Sequence, residues 1–199
     1  DELHGFLTAL EPLGPRAGLV SVQLPASFGP ADLGALDRFL GLLPAHRRGA
    51  VEVRHPEFFG GGAAGAALVR VLERHDAEWT TFDTTTLFAA PPTSDAEREA
   101  WAAKPRLPRQ VVALGPEPVV RTIGRDAPDE TADGWRPWLD AVATWLREGR
   151  RPIVFVHTPD NVDAIVLARR FHDEVGRLVP DLAALPEPDA PRTSPATLF

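Results

Sequence analysis

Residues 50–55 read AVEVRH, and Pro56 follows at once. In an extended chain successive side chains point to opposite faces, so Val51 and Val53 fall on one side and Glu52 and Arg54 on the other. The proline closes the run by removing a backbone donor. A short strand with two opposite charges on one face is unusual, and its neighbours decide what it means.

Four more runs have strand character. Residues 17–24, AGLVSVQL, end at Pro25; residues 79–83 read WTTFD; residues 119–123 read VVRTI; residues 153–157 read IVFVH behind Pro152. Between the runs lie helical patterns. Leu33, Leu36, Leu40 and Leu43 form a stripe that Pro44 stops, and Ala64, Leu68, Val71 and Leu72 form the next. Trp135, Trp138, Leu139, Val142, Trp145 and Leu146 recur at i, i+3, i+4, i+7, i+10 and i+11, the clearest helical period in the chain. Asp160 or Asn161 is placed to cap a last helix whose buried stripe is expected to include Ile165, Ala168, Phe171, Val175 and Leu178. Strand–helix alternation at this spacing predicts right-handed crossovers and a parallel sheet. Residues 1–180 are read as one domain. Within it, residues 84–118 form a long loop or lid carrying a short helix over 95–103. Residues 181–199 are read as a proline-rich tail.

Strands covered by helices on both faces read as continuous apolar runs. These do not. Ser21 and Gln23 alternate with Val20, Val22 and Leu24; Thr81 and Asp83 with Phe82; Arg121 with Val120; Phe155 and His157 with Val154 and Val156. The polar set Gln23, Glu52, Arg54, Asp83, Arg121 and His157 gathers toward the carboxyl ends of the strands. The interior of a (β/α)8 barrel accounts for such a set, because its site opens at those ends. The expected fold is therefore α/β, a TIM barrel represented by five parallel strands.

Composition narrows the function. The chain has 199 residues, 44% hydrophobic and 25% charged, a globular balance. A net charge of −7 argues against a broad nucleic-acid face, leaving only a local groove. No apolar run is long enough to span a membrane, and no leader is visible, so a cytoplasmic protein is expected. Cysteine is absent, which removes disulfides, thiolate metal sites and a cysteine nucleophile. Only Lys104 of the 21 basic residues is lysine; this bias, like the missing tyrosine, weakens any argument that a given arginine was chosen over lysine. There is no G-x-G-x-x-G after the first strand and no Walker loop, and the GGGAAG run from Gly60 is read as a connection.

QLPASFGP at 23–30, VEVRHPEFF at 51–59, FVHTPD at 155–160 and the closing Leu198-Phe199 resemble the YecE-like family, also called domain of unknown function 72. The resemblance runs over nearly the whole chain and implies a TIM barrel. Family members carry an earlier section, with a G-x-x-x-W-type first strand, a V-E-x-N-x-x-F-Y-type second strand and a lysine in the third, that is not found here. The five strands then correspond to the fourth to eighth of the family barrel. A barrel typically needs roughly 250 residues, so an amino-terminally shortened chain or a fragment is expected.

Two functions follow as expectations. In the first, the chain is an enzyme on a phosphate- or sugar-containing compound. Arg54, Arg121 and Gln23 bind the substrate; Glu52 or Asp83 serves as general base and His157 as acid or base. A divalent metal on Glu52, His55, Asp83 and His157 is a weaker version, since no H-x-H or H-E-x-x-H spacing supports it and Arg54 brings a cation close by. In the second, the chain is a non-catalytic accessory of DNA metabolism. Family tails resemble Q-x-S-L-F, similar to the peptide that grips the bacterial sliding clamp; here Pro195 and Ala196 depart from that pattern, and Leu198 and Phe199 are its contacts. Lys104, Arg106 and Arg109 are read as a solvated basic group.

Overall fold

A computed structural model describes residues 2–187. Helix α1 (Glu2–Leu10) buries no residue and leads into β1 (Val20–Gln23). The chain continues through α2 (Leu33–Leu40), β2 (Gly49–Glu52), α3 (Ala63–Arg74), β3 (Glu78–Asp83) and α4 (Asp95–Ala103). It ends with β4 (Val119–Ile123), α5 (Pro128–Gly134), α6 (Arg136–Arg147), β5 (Ile153–His157) and α7 (Ala164–Leu178). The strands stand in sequence order, β1-β2-β3-β4-β5, and every neighbouring pair is parallel. They curl into a half-barrel with helices outside, a partial TIM-like barrel as expected. Strands β1 and β2 are shorter than the sequence runs. β2 ends at Glu52, ahead of Pro56, whereas β1 loses mainly residues 17–19 at its amino end, and Leu24 N still donates to Glu52 O at 2.9 Å.

Register sets the direction of each side chain. Phe82 is paired with Arg121 and Arg121 with Phe155; Thr80 is paired with Val119. Partners in a parallel ladder share a face, so Phe82 points into the concave side with Arg121, while Thr81 and Asp83 point toward the helices. This corrects the expected phase of β3. All six residues of β3 are buried, so polarity carries no information about which face is which.

Two apolar clusters hold the helices to the convex face. One joins Leu36, Leu40, Leu68 and Leu72 of α2 and α3 to Val51 and Trp79; each such leucine contributes about 2 kcal/mol of transfer free energy. The other joins Trp138, Val142, Leu167, Phe171 and Val175 to Val120 and Val156. Two helix expectations change. The tryptophan-rich helix is two helices, because Pro137 opens α6 in its first turn and leaves Trp135 between them. In α7 the buried stripe is Leu167, Phe171 and Val175, while Ile165 is 74% exposed. These three recur at i, i+4 and i+8, and Ile165 lies two residues, or about 200°, away from that line.

Residues 84–118 are anchored by buried charge. Ser94 caps α4 by accepting from Glu97 N at 3.0 Å. The Glu97 carboxylate accepts from Thr93 N (2.7 Å) and Asp126 N (3.1 Å) and pairs with Arg125 (3.0 Å). Burial raises the Glu97 pKa, but these donors outweigh it and hold it below the ordinary value. Thr84 Oγ1 donates to Pro105 O at 2.9 Å, fixing the stretch just after α4 to the top of β3.

Candidate functional site

The carboxyl ends of β1, β2, β4 and β5 surround one charged cluster. Glu52, 1% exposed, is its centre. Its Oε1 accepts from Arg54 Nε at 2.8 Å and Nη2 at 2.7 Å, and its Oε2 accepts from Arg121 Nη1 at 3.1 Å. Gln23 Oε1 accepts from Arg54 Nη2 at 3.4 Å. Phe82 lies beneath both guanidiniums, each 5.1 Å from the ring centroid. Two cations against one anion leave the cluster positive. Through these bonds Glu52 orients the two arginines.

His157 completes the cluster. Arg121 Nε donates to its Nε2 at 3.4 Å, so Nε2 carries a lone pair; Nδ1 then carries the proton and donates to Asn161 Oδ1 at 3.0 Å. Burial lowers the His157 pKa. The Asn161 bond opposes this, the charges of Arg121 and Lys104 lower it further, and Glu52 raises it. These influences favour the neutral imidazole, with one basic nitrogen beside the Arg121 guanidinium. A cleft of about 470 Å³ runs down the concave face below, lined in part by Ser21, Thr80, Phe155 and His157. Thr80 Oγ1 is buried there without a hydrogen-bond partner.

Gln23, Glu52, Arg54, Arg121 and His157 thus come together, and two proposed residues do not. Asp83 lies on the opposite face of β3. It accepts from Arg109 Nε (2.6 Å), Trp138 Nε1 (2.6 Å) and Thr85 N (2.8 Å), a bond set that fastens α6 and the 84–118 segment to the sheet. His55 turns to Gly29 and Phe58, with Nδ1 accepting from Glu57 N at 3.3 Å. The four-residue metal set therefore does not assemble, and among the described residues no group of three or more His, Asp or Glu is placed to hold a metal ion. Lys104, Arg106 and Arg109 do not form one group either. Arg109 belongs to Asp83, Arg106 stacks on Phe88 and Trp101 at 4.8 and 5.3 Å, and Lys104 enters no salt bridge among the described residues. Leu198 and Phe199 lie outside the described residues.

Sequence reasoning missed Phe82, Thr80 and Asn161. Asn161 was visible four residues after His157 but read as a helix cap. Helix α7 starts later, behind Asp163. Asn161 instead takes φ +60, a left-handed conformation asparagine tolerates, which turns its side chain back onto His157.

An α/β half-barrel with a charged cluster at the carboxyl ends of its strands defines a TIM-like class of protein. Within that class, the family described as protein of unknown function DUF72 matches residues 1–193. The chain is 36% identical over 186 residues to the UPF0759 protein YecE of Escherichia coli K12, and equally to that of Escherichia coli O157:H7. The alignments cover 94% of this chain and 68% of each relative. The chain belongs to the DUF72 family. No solved structure matches it. Among the described residues no helix is long and apolar enough to cross a membrane.

Proposed function

We propose that the protein is an enzyme acting on a small phosphate- or sugar-containing compound at the mouth of the half-barrel. The observation that carries this is His157, whose Nε2 lone pair faces Arg121 on the lining of a cleft, with Arg54 joined to Arg121 through Glu52. The arginines bind anionic oxygens of the substrate. Glu52 and Gln23 hold Arg54 in place, and Glu52 with Phe82 holds Arg121. The contact from Arg121 Nε to His157 is long, so a substrate hydroxyl or a water displaces it at low cost and delivers its proton to Nε2. The imidazolium so formed gives that proton to the leaving oxygen, and Asn161 keeps the ring oriented throughout.

The test separates binding from turnover. R121A is expected to weaken binding of inorganic phosphate, followed by amide NMR, at least tenfold. H157Q is expected to keep that affinity and lose turnover of any phosphate ester or glycoside the wild type converts. Unchanged phosphate binding by R121A refutes the site. Binding without turnover across both substrate classes refutes the enzyme and leaves a binding protein.

A further inference from the structure

Below its charged end the cleft becomes apolar. Thr80, Val119 and Ile153 are paired across β3, β4 and β5, and Phe82, Arg121 and Phe155 form the next row on the same face toward the carboxyl ends. Two residues along each strand set these rows roughly 7 Å apart. Arg121, Phe155 and the whole of the lower row line one cleft, which Leu19 and Ser21 join from the β1 side.

Two features of that wall have no use within the fold. Phe155 is a large apolar side chain left 51% exposed. Thr80 is 4% exposed, and its Oγ1 has no hydrogen-bond partner among the described residues. Buried hydroxyls are ordinarily paired, so Thr80 holds a spare donor and acceptor inside the cleft. The volume of about 470 Å³ is that of a small-molecule site.

We infer that the ligand is an anion with an apolar, ring-sized body. Its head meets Arg121, its body lies along Val119, Ile153 and Phe155, and Thr80 takes one hydrogen-bonding group on that body. The inference rests on the arginine site proposed above and narrows its substrate class. A sugar body carries several hydroxyls, and below the mouth only Ser21 and Thr80 offer hydroxyl partners among the lining side chains. The remaining sugar hydroxyls are then buried unpaired against hydrocarbon, which costs free energy. A ring with a single polar substituent leaves none unpaired, covers Phe155 and removes apolar surface from water. The phosphate monoester of an aromatic alcohol has this form.

The experiment is an amide NMR titration of the full chain with methylphosphonate, phenylphosphonate, the three ring-hydroxylated phenylphosphonates and glucose phosphate; the phosphonates have no ester bond to cleave. Phenylphosphonate is expected to bind about tenfold more tightly than methylphosphonate and more tightly than glucose phosphate, and F155S to remove the tenfold margin. One hydroxylated isomer is expected to bind about fivefold more tightly than phenylphosphonate. T80V is expected to abolish that further gain, and T80S, which keeps the hydroxyl, to retain it. Should T80V disturb folding, T80A removes the same hydroxyl. Equal binding of phenyl- and methylphosphonate, or tighter binding of glucose phosphate, overturns the apolar body, and loss of all of them in R121A then leaves the arginine site standing. No isomer exceeding phenylphosphonate, or a gain that T80V keeps, overturns the role of Thr80. No anion binding by the wild type overturns this inference together with the site it rests on.

Discussion

Asp83→Asn separates scaffold from site at the position where strand phase matters most. The Asp83 side chain is fully buried. One oxygen accepts from Thr85 N and Oγ1, at 2.8 and 2.6 Å; the other accepts from Arg109 Nε and Trp138 Nε1, both at 2.6 Å. An asparagine keeps a single acceptor oxygen. If that oxygen serves Thr85, the amide NH2 faces two N–H donors, one on the buried Trp138 and one on a cation. Breaking a buried ion pair from one side costs about 3–5 kcal/mol. The Arg109 side chain is 24% exposed, so water recovers part of that cost, and a loss of about 3 kcal/mol is expected. At this chain length that corresponds to a melting temperature lower by roughly 9 °C. Equilibrium urea unfolding gives the free energy, and phosphate titration of the folded variant gives the site. Phosphate affinity is expected to stay at the wild-type value, because the arginines lie on the other face of the sheet. A stability loss below about 1 kcal/mol, or wild-type stability with lost phosphate binding, refutes the assignment of Asp83 to the scaffold.

Further outcomes follow from His157. Its folded pKa is lowered, so the unfolded chain binds the proton more readily. Its contribution to stability is present above the unfolded value near 6.5 and is lost as the pH falls below that value toward the folded pKa. Histidine NMR titration is expected to place His157 below 6.5, and a midpoint at or above that value contradicts the buried, cation-flanked environment. Asn161→Gly keeps the left-handed backbone while removing the side chain that raises the His157 pKa. In this variant the midpoint is expected to fall further, and ring nitrogen shifts are expected to move from a single Nδ1–H tautomer toward a mixture. An unchanged tautomer signature would exclude Asn161 as the positioning residue.

The sequence alone determined whatever depends on neighbours along one chain segment. The opposed faces of Glu52 and Arg54 follow from a strand's period of two, and β4 and β5 have the limits their sequences predict. The charged cluster was legible for the same reason: Gln23, Glu52, Arg54, Arg121 and His157 sit on strands with one apolar and one polar set, so each strand announces its own orientation. Strand β3 does not, since Glu78, Thr80, Thr81 and Asp83 put polar groups on both of its faces and all four are buried. Only its pairing with β4 decides that Phe82 supports the arginines and that Asp83 ties down α6. His55 and Asn161 were likewise settled in three dimensions, the first by the turn that faces it toward Gly29, the second by one left-handed residue that returns its amide to His157. Side-chain direction within an element is a local property of the backbone. Which face becomes the interior, and which distant groups share it, depends on contacts between segments far apart in sequence, and those exist only once the sheet has formed.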